Sequence, residues 1–469
     1  MRDDFPTPGT VFDVAVIGAG VVGCAVARRF ALAGASVVLI EKGNDILSGA
    51  SKANSAILHT GFGAPPGSLE LQLVQEGRAE YLSVHGSLGL SVVHTGALVC
   101  AWTDEEAAQL DKIAAKGADN GVADLRRLDG VQARKIAPDL SPDLRAAIEV
   151  PGEHVIDPWS APLAYVSQAI ALGARVVRRC ELVSGRFEGG EWHLETGLGG
   201  LRAGAVVNAA GLFGDEVNRR LGLAPEFEIR PRKGQFIVLD KAARRHVPTI
   251  VLPVPTERTK GIVICPTAFG NVLVGPTAEE QADRIRATVE TDTLHMLQAH
   301  GAKLIPALRG IPVTATYAGL RPASDEKHYR IGVHPEVRAI VLGGIRSTGL
   351  SASLGLARHA LRLYEGFAAP LDPPATVPVC HVPNLTETEP RDWQAPDHGE
   401  IACHCEMVTR REIEATFDSP LPPGDFNGLR RRTRACMGRC QGFYCAARLA
   451  AMTRGRIEPP LIVATEDGK

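Results

Sequence analysis

The sequence predicts an α/β fold: a Rossmann-like domain interrupted by an inserted antiparallel-sheet domain, with a small helical domain at the C-terminal end. Three observations predict it. Residues 12–41 read as strand, glycine loop, helix and strand; residues 221–315 switch to short alternating strands; and five of the ten cysteines fall within 403–445, beyond a proline-rich stretch.

The first unit opens with Phe12–Ile17, an apolar run too brief for a helix, which reads as a buried parallel strand. Gly18-Ala19-Gly20-Val21-Val22-Gly23 follows, then good helix formers to Ala33 with Gly34 as the stop, then a second apolar run, Ser36–Ile40, ending in Glu41. This is the dinucleotide fingerprint in its required context. Gly18 permits the tight turn, Gly20 lets the backbone approach a pyrophosphate, and Gly23 lets the helix lie close to the strand. The helix N-terminus offers unpaired N–H groups to phosphates, and Glu41 can accept hydrogen bonds from a ribose. The pattern fits FAD and NAD equally.

Composition sets the outer bounds. The chain of 469 residues has length for about three domains. Its 51 basic and 53 acidic residues nearly cancel, which argues against a nucleic-acid partner. Met1–Thr10 has no apolar signal core and no run of about 18 apolar residues occurs, so no transmembrane segment is expected. The expectation is a cytoplasmic protein, with peripheral association at the inner face of the membrane left open. Cys24, Cys100, Cys180, Cys265 and Cys380 read as ordinary thiols in apolar surroundings, whereas the clustered set suggests a metal site before a disulfide.

After Glu41 a small-residue loop, Gly49–Gly61, runs into Ala64-Pro65-Pro66-Gly67-Ser68-Leu69 and a helix. The order Asn54-Ser55, His59, Gly61, then Pro66-Gly67-Ser68-Leu69 resembles the L-2-hydroxyglutarate dehydrogenase branch of the glycine-oxidase and D-amino-acid-oxidase superfamily of flavoproteins. That superfamily lays this segment along the flavin. The resemblance implies FAD as the nucleotide, Ser51, Asn54 and Ser55 as contacts to it, and His59 as the proton-handling group beside the ring. An imidazole titrates near neutrality and suits taking a hydroxyl proton while hydride leaves carbon.

Thr103-Asp104-Glu105-Glu106 reads as a capping box opening a helix that ends near Gly117. Asp157 and Pro158 read as N-cap and first turn of a helix that stops at Gly173, with Ala174–Arg178 as the strand after it. Ala205–Asn208 is another buried strand, and the small-residue turn at its end is where ligands meet open α/β sheets. The family uses this turn beside FAD, which implies Ala210 and Gly211 as contacts. Gly234–Leu239, Gly261–Cys265, Asn271–Val274 and a helix Thr293–Leu304 resemble the superfamily's substrate domain.

Tyr317-Ala318-Gly319-Leu320-Arg321-Pro322 resembles the superfamily's Gly-x-Arg-Pro turn, whose arginine reaches the substrate anion. A planar guanidinium binds carboxylate or phosphate through two bonds. Val341–Leu350 takes a strand through a glycine loop into a helix, Ser351–Glu365. In the family this backbone contacts the flavin, which implies Gly344, Gly349 and Leu350. Glycerol-3-phosphate dehydrogenases usually carry Gly-Gly-Lys here; this chain has Gly343-Gly344-Ile345-Arg346, a departure that weakens the phosphorylated-substrate reading and leaves Arg346 as the available substitute cation, while the run Ser347–Leu354 resembles the hydroxyglutarate branch more closely.

Residues 368–398 hold seven prolines and read as an extended linker over the surface. Beyond it, Cys403-His404-Cys405, thirty-four residues, then Cys440-Gln441-Gly442-Phe443-Tyr444-Cys445 give two close thiol pairs. Four thiolates suit a [2Fe–2S] cluster or a structural zinc, and the spacing leaves that choice open. The surrounding residues, Arg430-Arg431-Arg432-Thr433-Arg434 and Met437-Gly438 among them, resemble the bacterioferritin-associated-ferredoxin type of [2Fe–2S] domain. The anaerobic glycerol-3-phosphate dehydrogenase large subunit carries such a domain behind its flavoprotein body. The resemblance implies Cys403, Cys405, Cys440 and Cys445 as ligands, with Cys436 a spectator or alternative. The four arginines read either as charge that eases cluster reduction or as a solvated helix face.

The resulting expectation is an FAD-binding domain at 10–90, 150–220 and 318–367, a substrate domain at 91–149 and 221–317, the linker, and a [2Fe–2S] domain at 399–455. The chain reads as an FAD-dependent dehydrogenase for a small anionic secondary alcohol, either glycerol 3-phosphate or an L-2-hydroxy acid such as L-2-hydroxyglutarate. Its electrons would pass through the cluster to a quinone or a protein acceptor, with other dehydrogenase subunits as candidate partners. Oxidation of an amine or imino acid, of opine or hydroxyproline type, and a redox-sensing or electron-carrying flavoprotein are the alternatives.

Overall fold

In the computed structural model, residues 5–461 are described apart from 225 and 257–260. The first strand, β1 (Val11–Ile17), leads through the glycine loop into helix α1 (Val21–Leu32) and strand β2 (Val37–Glu41). The two strands pair in parallel, Val14 opposite Val37 and Ile17 opposite Ile40. Strand Gly199–Asn208 lies parallel on the other side of β1, and Arg175–Arg178 lies parallel on β2. Strands Leu182–Glu188, Glu191–Thr196, Arg330–His334 and Ala339–Gly343 complete an eight-stranded sheet.

Successive side chains of a strand face opposite ways, and β1 shows what each face buries. Val14 and Val16 enter a core made with α1, helix α2 (Leu69–Leu88) and the helices Ser160–Ala171 and Gly349–Glu365. Ala15 and Ile17 enter a second core with Val38, Trp192, Leu212 and Phe227. Both faces are covered from Val14 onward, which is why that part of the strand is continuously apolar.

The second sheet has nine strands, drawn from 97–150 and 232–321. Its pairings are antiparallel except one: Ile250–Pro253 runs parallel to Ala97–Ala101. A three-stranded patch, Ile57–Leu58, His154–Ile156 and Val92–Val93, joins the two halves.

Three local expectations are corrected. Thr103 does cap the helix Asp104–Asp119, accepting from the Glu106 N–H, but the Glu106 carboxylate reaches the Trp102 N–H, so the box does not close. The helix after His154–Ile156 begins at Ser160 with Trp159 as N-cap; Asp157 accepts from the Trp159 and Ser160 N–H groups and shapes a turn before it. The proline-rich segment is more than surface chain: Leu385 and Thr386 are buried, and the Val382 N–H donates to the Leu88 carbonyl at the end of α2.

The tail has its own small core, with Val408, Ile413, Phe417, Leu429 and Leu449 buried among the hairpin Ile401–Cys403/Val408–Thr409 and the helices Arg410–Phe417, Phe426–Thr433 and Ala446–Thr453. Its arginines do not form a solvated helix face. Arg432 holds the fully buried Asp45 carboxylate through two nitrogens, at 2.6 and 2.9 Å, and Arg431 donates to the Ile46 carbonyl at 3.0 Å. Arg434 pairs with the buried Glu406 at 2.8 Å and lies over the Phe269 ring. These cations seat the tail on the loop that follows β2. No helix among the described residues is long and apolar enough to cross a membrane.

Candidate active site

The glycine loop is built by close approach. Gly18 sits at φ +100°, and a Cβ there would meet the Ala209 carbonyl at 2.8 Å and the Ala210 Cα at 2.9 Å. A Cβ on Gly23 would fall 1.8 Å from the Gly18 carbonyl oxygen, so α1 can begin here only with glycine at that position. Gly20, the N-cap residue of α1, has no side chain to cap it; the Ser51 hydroxyl does so from the next loop, accepting from the Val21 N–H at 3.0 Å. Glu41 accepts from the Ala19 N–H at 2.8 Å and the Gly43 N–H at 2.8 Å, which ties the end of β2 to the loop. Burial pushes its carboxyl up, against those two backbone bonds.

Residues 51–59 run from there toward the second sheet. The Asn54 side chain folds the loop on itself, donating to the Ser51 carbonyl and accepting from the Ala56 N–H, while the Tyr317 hydroxyl donates to the Asn54 carbonyl at 2.9 Å. The Ser55 carbonyl accepts from the Cys265 thiol. The His59 N–H donates to the Ser351 hydroxyl at 2.9 Å, which joins this loop to the helix Gly349–Glu365.

His59 has a partner that sequence reasoning misses. Its Nδ1 lies 2.8 Å from Oε2 of Glu153, a carboxylate with no exposed side-chain surface. The other oxygen of Glu153 accepts from the Thr60 N–H and hydroxyl, at 2.7 and 2.9 Å. Burial raises the Glu153 carboxyl, but His59 and the bonds from His59 and Thr60 outweigh it, and the net shift is downward. Glu153 is ionised and acts as an orienting acceptor, which leaves Nε2 as the His59 nitrogen that Glu153 does not engage.

Arg321 ends the strand Val313–Arg321, paired across from Arg232. Its guanidinium donates to the Thr277 carbonyl at 3.3 Å. Burial, then the like charges of Arg232 and Arg346, lower its pKa to about 10, which leaves it fully charged at neutral pH. Burial and Arg232 likewise lower Arg346, opposed by Glu70 and Glu280. Arg321 and Arg232 thus stand opposite one another on neighbouring strands, and the charge of Arg346 acts on Arg321. In the sequence Arg232 is only one of several cations entering a strand. Beside it, Lys233 pairs with Glu279 and Glu290, and Arg230 pairs with Glu228.

The remaining positions form the walls. Ala210 and Gly211 make the turn that abuts Gly18, shaped by Asn208, whose side chain accepts from the Ala210 N–H and donates to the Gly214 carbonyl. Gly344 takes φ +64° between the strand Ala339–Gly343 and Arg346, and Gly349 and Leu350 begin the helix beside the His59 loop.

The tail thiols gather without a closed ligand set. Cys436 and Cys445 lie 3.3 Å apart at sulfur, and the Cys403 and Cys405 thiols are influenced electrostatically by Cys445 and Cys440. Among the described residues no group of three or more His, Cys, Asp or Glu side chains is disposed to hold a metal ion.

Comparison with known proteins gives the chain's family and its relatives. A family model described as FAD dependent oxidoreductase matches residues 13–363. A glycerol 3-phosphate dehydrogenase of Caloramator mitchellensis is 29% identical over 447 residues, covering 94% of this chain and 93% of that relative. One of the chains of the anaerobic glycerol-3-phosphate dehydrogenase of Escherichia coli is 26% identical, covering 94% and 87%. Both alignments reach into the cysteine-rich tail. Among solved structures, the L-alpha-glycerophosphate oxidase of Mycoplasma pneumoniae with FAD bound superposes with a TM-score of 0.75 at 26% identity, covering 80% of this chain and 99% of that one.

Proposed function

The chain belongs to this family of FAD-dependent oxidoreductases, and from that premise we propose that it oxidises the secondary alcohol of glycerol 3-phosphate. The observation that carries the substrate is the strand pairing that sets Arg321 opposite Arg232, with Arg346 near enough for its charge to act on Arg321. A carboxylate is satisfied by one bidentate guanidinium, whereas a phosphate dianion has oxygens for several. The names of the relatives support the same reading.

FAD would be held by the α1 N-terminus and Gly18, Gly20 and Gly23 at its pyrophosphate and by Glu41 at its ribose. Ser51, Asn54, Ser55, Ala210, Gly211, Gly344, Gly349 and Leu350 would line the rest. Bound there, it supplies the two-electron acceptor for the hydride. The chain's own part is binding and proton transfer. The arginines fix the phosphate, and His59 Nε2 takes the hydroxyl proton while Glu153 keeps the ring oriented and offsets the charge the ring gains. Glu153 belongs in this role as a positioning residue, since its oxygens are engaged by His59 and Thr60.

The tail's donor chemistry suits a thiophilic group: Cys403, Cys405, Cys440 and Cys445 would hold a [2Fe–2S] cluster, a one-electron carrier toward a quinone or a protein acceptor. Arg430, donating to the Cys436 carbonyl at 3.2 Å, is the cation closest in role to the charge expected there.

Anaerobic mixing of the purified protein with glycerol 3-phosphate, L-2-hydroxyglutarate and hydroxyproline tests the substrate by flavin absorbance. Bleaching by glycerol 3-phosphate is expected, with Arg346→Gln raising the substrate concentration required by about 10- to 100-fold, the worth of a lost charge-assisted bond. Bleaching only by the hydroxy acid or the imino acid overturns the assignment. Metal analysis of the same sample tests the tail: iron with acid-labile sulfide is expected, and zinc in its place overturns the cluster.

A further inference from the structure

The five tail thiols are one more than a four-thiolate centre uses, and the surplus one is placed with care. Cys436 is about as buried as Cys445, 4% exposed against 3%, and the two sulfurs are 3.3 Å apart. Its backbone takes the left-handed conformation, φ +64°, which non-glycine residues seldom adopt and which here turns the side chain inward. The facing turn is shaped around it: a Cβ on Gly442 would stand 2.9 Å from the Cys436 sulfur. Cys436 follows the helix Phe426–Thr433, and Cys445 is the N-cap of the helix Ala446–Thr453.

From this we propose that Cys436 and Cys445 form an internal disulfide when the tail carries no metal. The inference rests on the thiols alone and stands whether the tail's natural occupant is iron–sulfur, zinc or neither. The oxidant is a small-molecule disulfide such as oxidised glutathione. In the net reaction the two thiols give up two electrons and two protons, the Cys436–Cys445 bond forms, the oxidant's sulfur–sulfur bond breaks, and two small thiols leave. Cys405 and Cys440 are the more exposed thiols of the cluster and provide the entry point, from which exchange passes inward. The bond staples the two helices across a short loop and withholds Cys445 from any metal until it is reduced.

The test uses the full-length, FAD-containing protein, stripped with a thiol reductant and a chelator, freed of both, then exposed to excess oxidised glutathione. Remaining thiols are blocked with N-ethylmaleimide and the protein is cut with trypsin, which separates residues 435–439 from 440–448. Mass spectrometry is expected to find these two peptides joined in the wild type and in Cys440→Ser, and separate in Cys436→Ser and Cys445→Ser. The proposal is overturned if Cys436 of the wild type is still alkylated at saturating oxidant. It is equally overturned if the linkage survives in Cys445→Ser, since Cys440 would then be the partner.

Discussion

A carboxylate sealed from water is normally driven to protonate, and Glu153 escapes that because every face of it is met by a donor. The arrangement fixes which imidazole nitrogen of His59 is left for chemistry. Replacing Glu153 with Gln keeps the size and an acceptor for Thr60 but removes the charge. The expected result is a fall in kcat of roughly 10- to 100-fold with little change in KM. A mere packing defect would instead appear as a loss of thermal stability, with kcat per folded molecule unchanged. His59 could be named as a candidate from the sequence because its neighbours form a recognisable local pattern. Glu153 could not, because it stands 94 positions away and its meaning lies in a contact that no local period encodes. Arg232 was obscured differently, as one of several cations entering a strand, and only the strand pairing with Arg321 singles it out.

At the scale of the element, the βαβ unit was readable almost to the residue because its causes are local: apolar strands, helix formers, and glycines at the points of close approach. Gly23→Ala tests that account. The added methyl would meet the Gly18 carbonyl oxygen, a backbone atom that cannot swing aside, so α1 must shift away from β1. A destabilisation of about 2–4 kcal/mol is expected. FAD should be lost on gel filtration in proportion, seen as a drop in the flavin-to-protein absorbance ratio; retention of full flavin and unchanged thermal stability would remove the packing argument. The capping of the same helix was not readable. Gly20 supplies no side-chain acceptor, and the Ser51 hydroxyl that replaces one arrives from a later loop. Likewise, Asp157 looks like an N-cap by its neighbours, yet its oxygens are taken by a turn just ahead of the helix.

For the whole molecule, the tail is seated on the loop after β2 by a buried charge pair across 387 residues of sequence, alongside the Arg431–Ile46 and Arg178–Pro422 bonds. Asp45 lies on the loop that leaves the nucleotide-binding strand β2, so the tail docks beside the dinucleotide site and makes contact with the loop that Glu41 and Gly43 organise. Burial raises the Asp45 carboxyl, but Arg432, with Arg178 and Arg431 behind it, overcomes this and holds it below the ordinary carboxylate range. The sign follows from that direction. Docking strength from this pair is fully present above the unfolded-state value, about 3.9, and is lost as pH falls through the lower value of the folded protein. Removing one partner of such a pair leaves the other charge buried alone, at a cost of about 3–5 kcal/mol. Asp45→Asn should therefore weaken tail docking at neutral pH by that order and abolish the acid-dependent component. The readout is protease cleavage within 368–398 as a function of pH and denaturant: the wild type is expected to become cleavable as acid is added, whereas the variant is cleaved readily at neutral pH. If both resist equally at neutral pH, the apolar contacts of the strap at Val382 and Leu385, and not the Asp45–Arg432 pair, hold the tail in place.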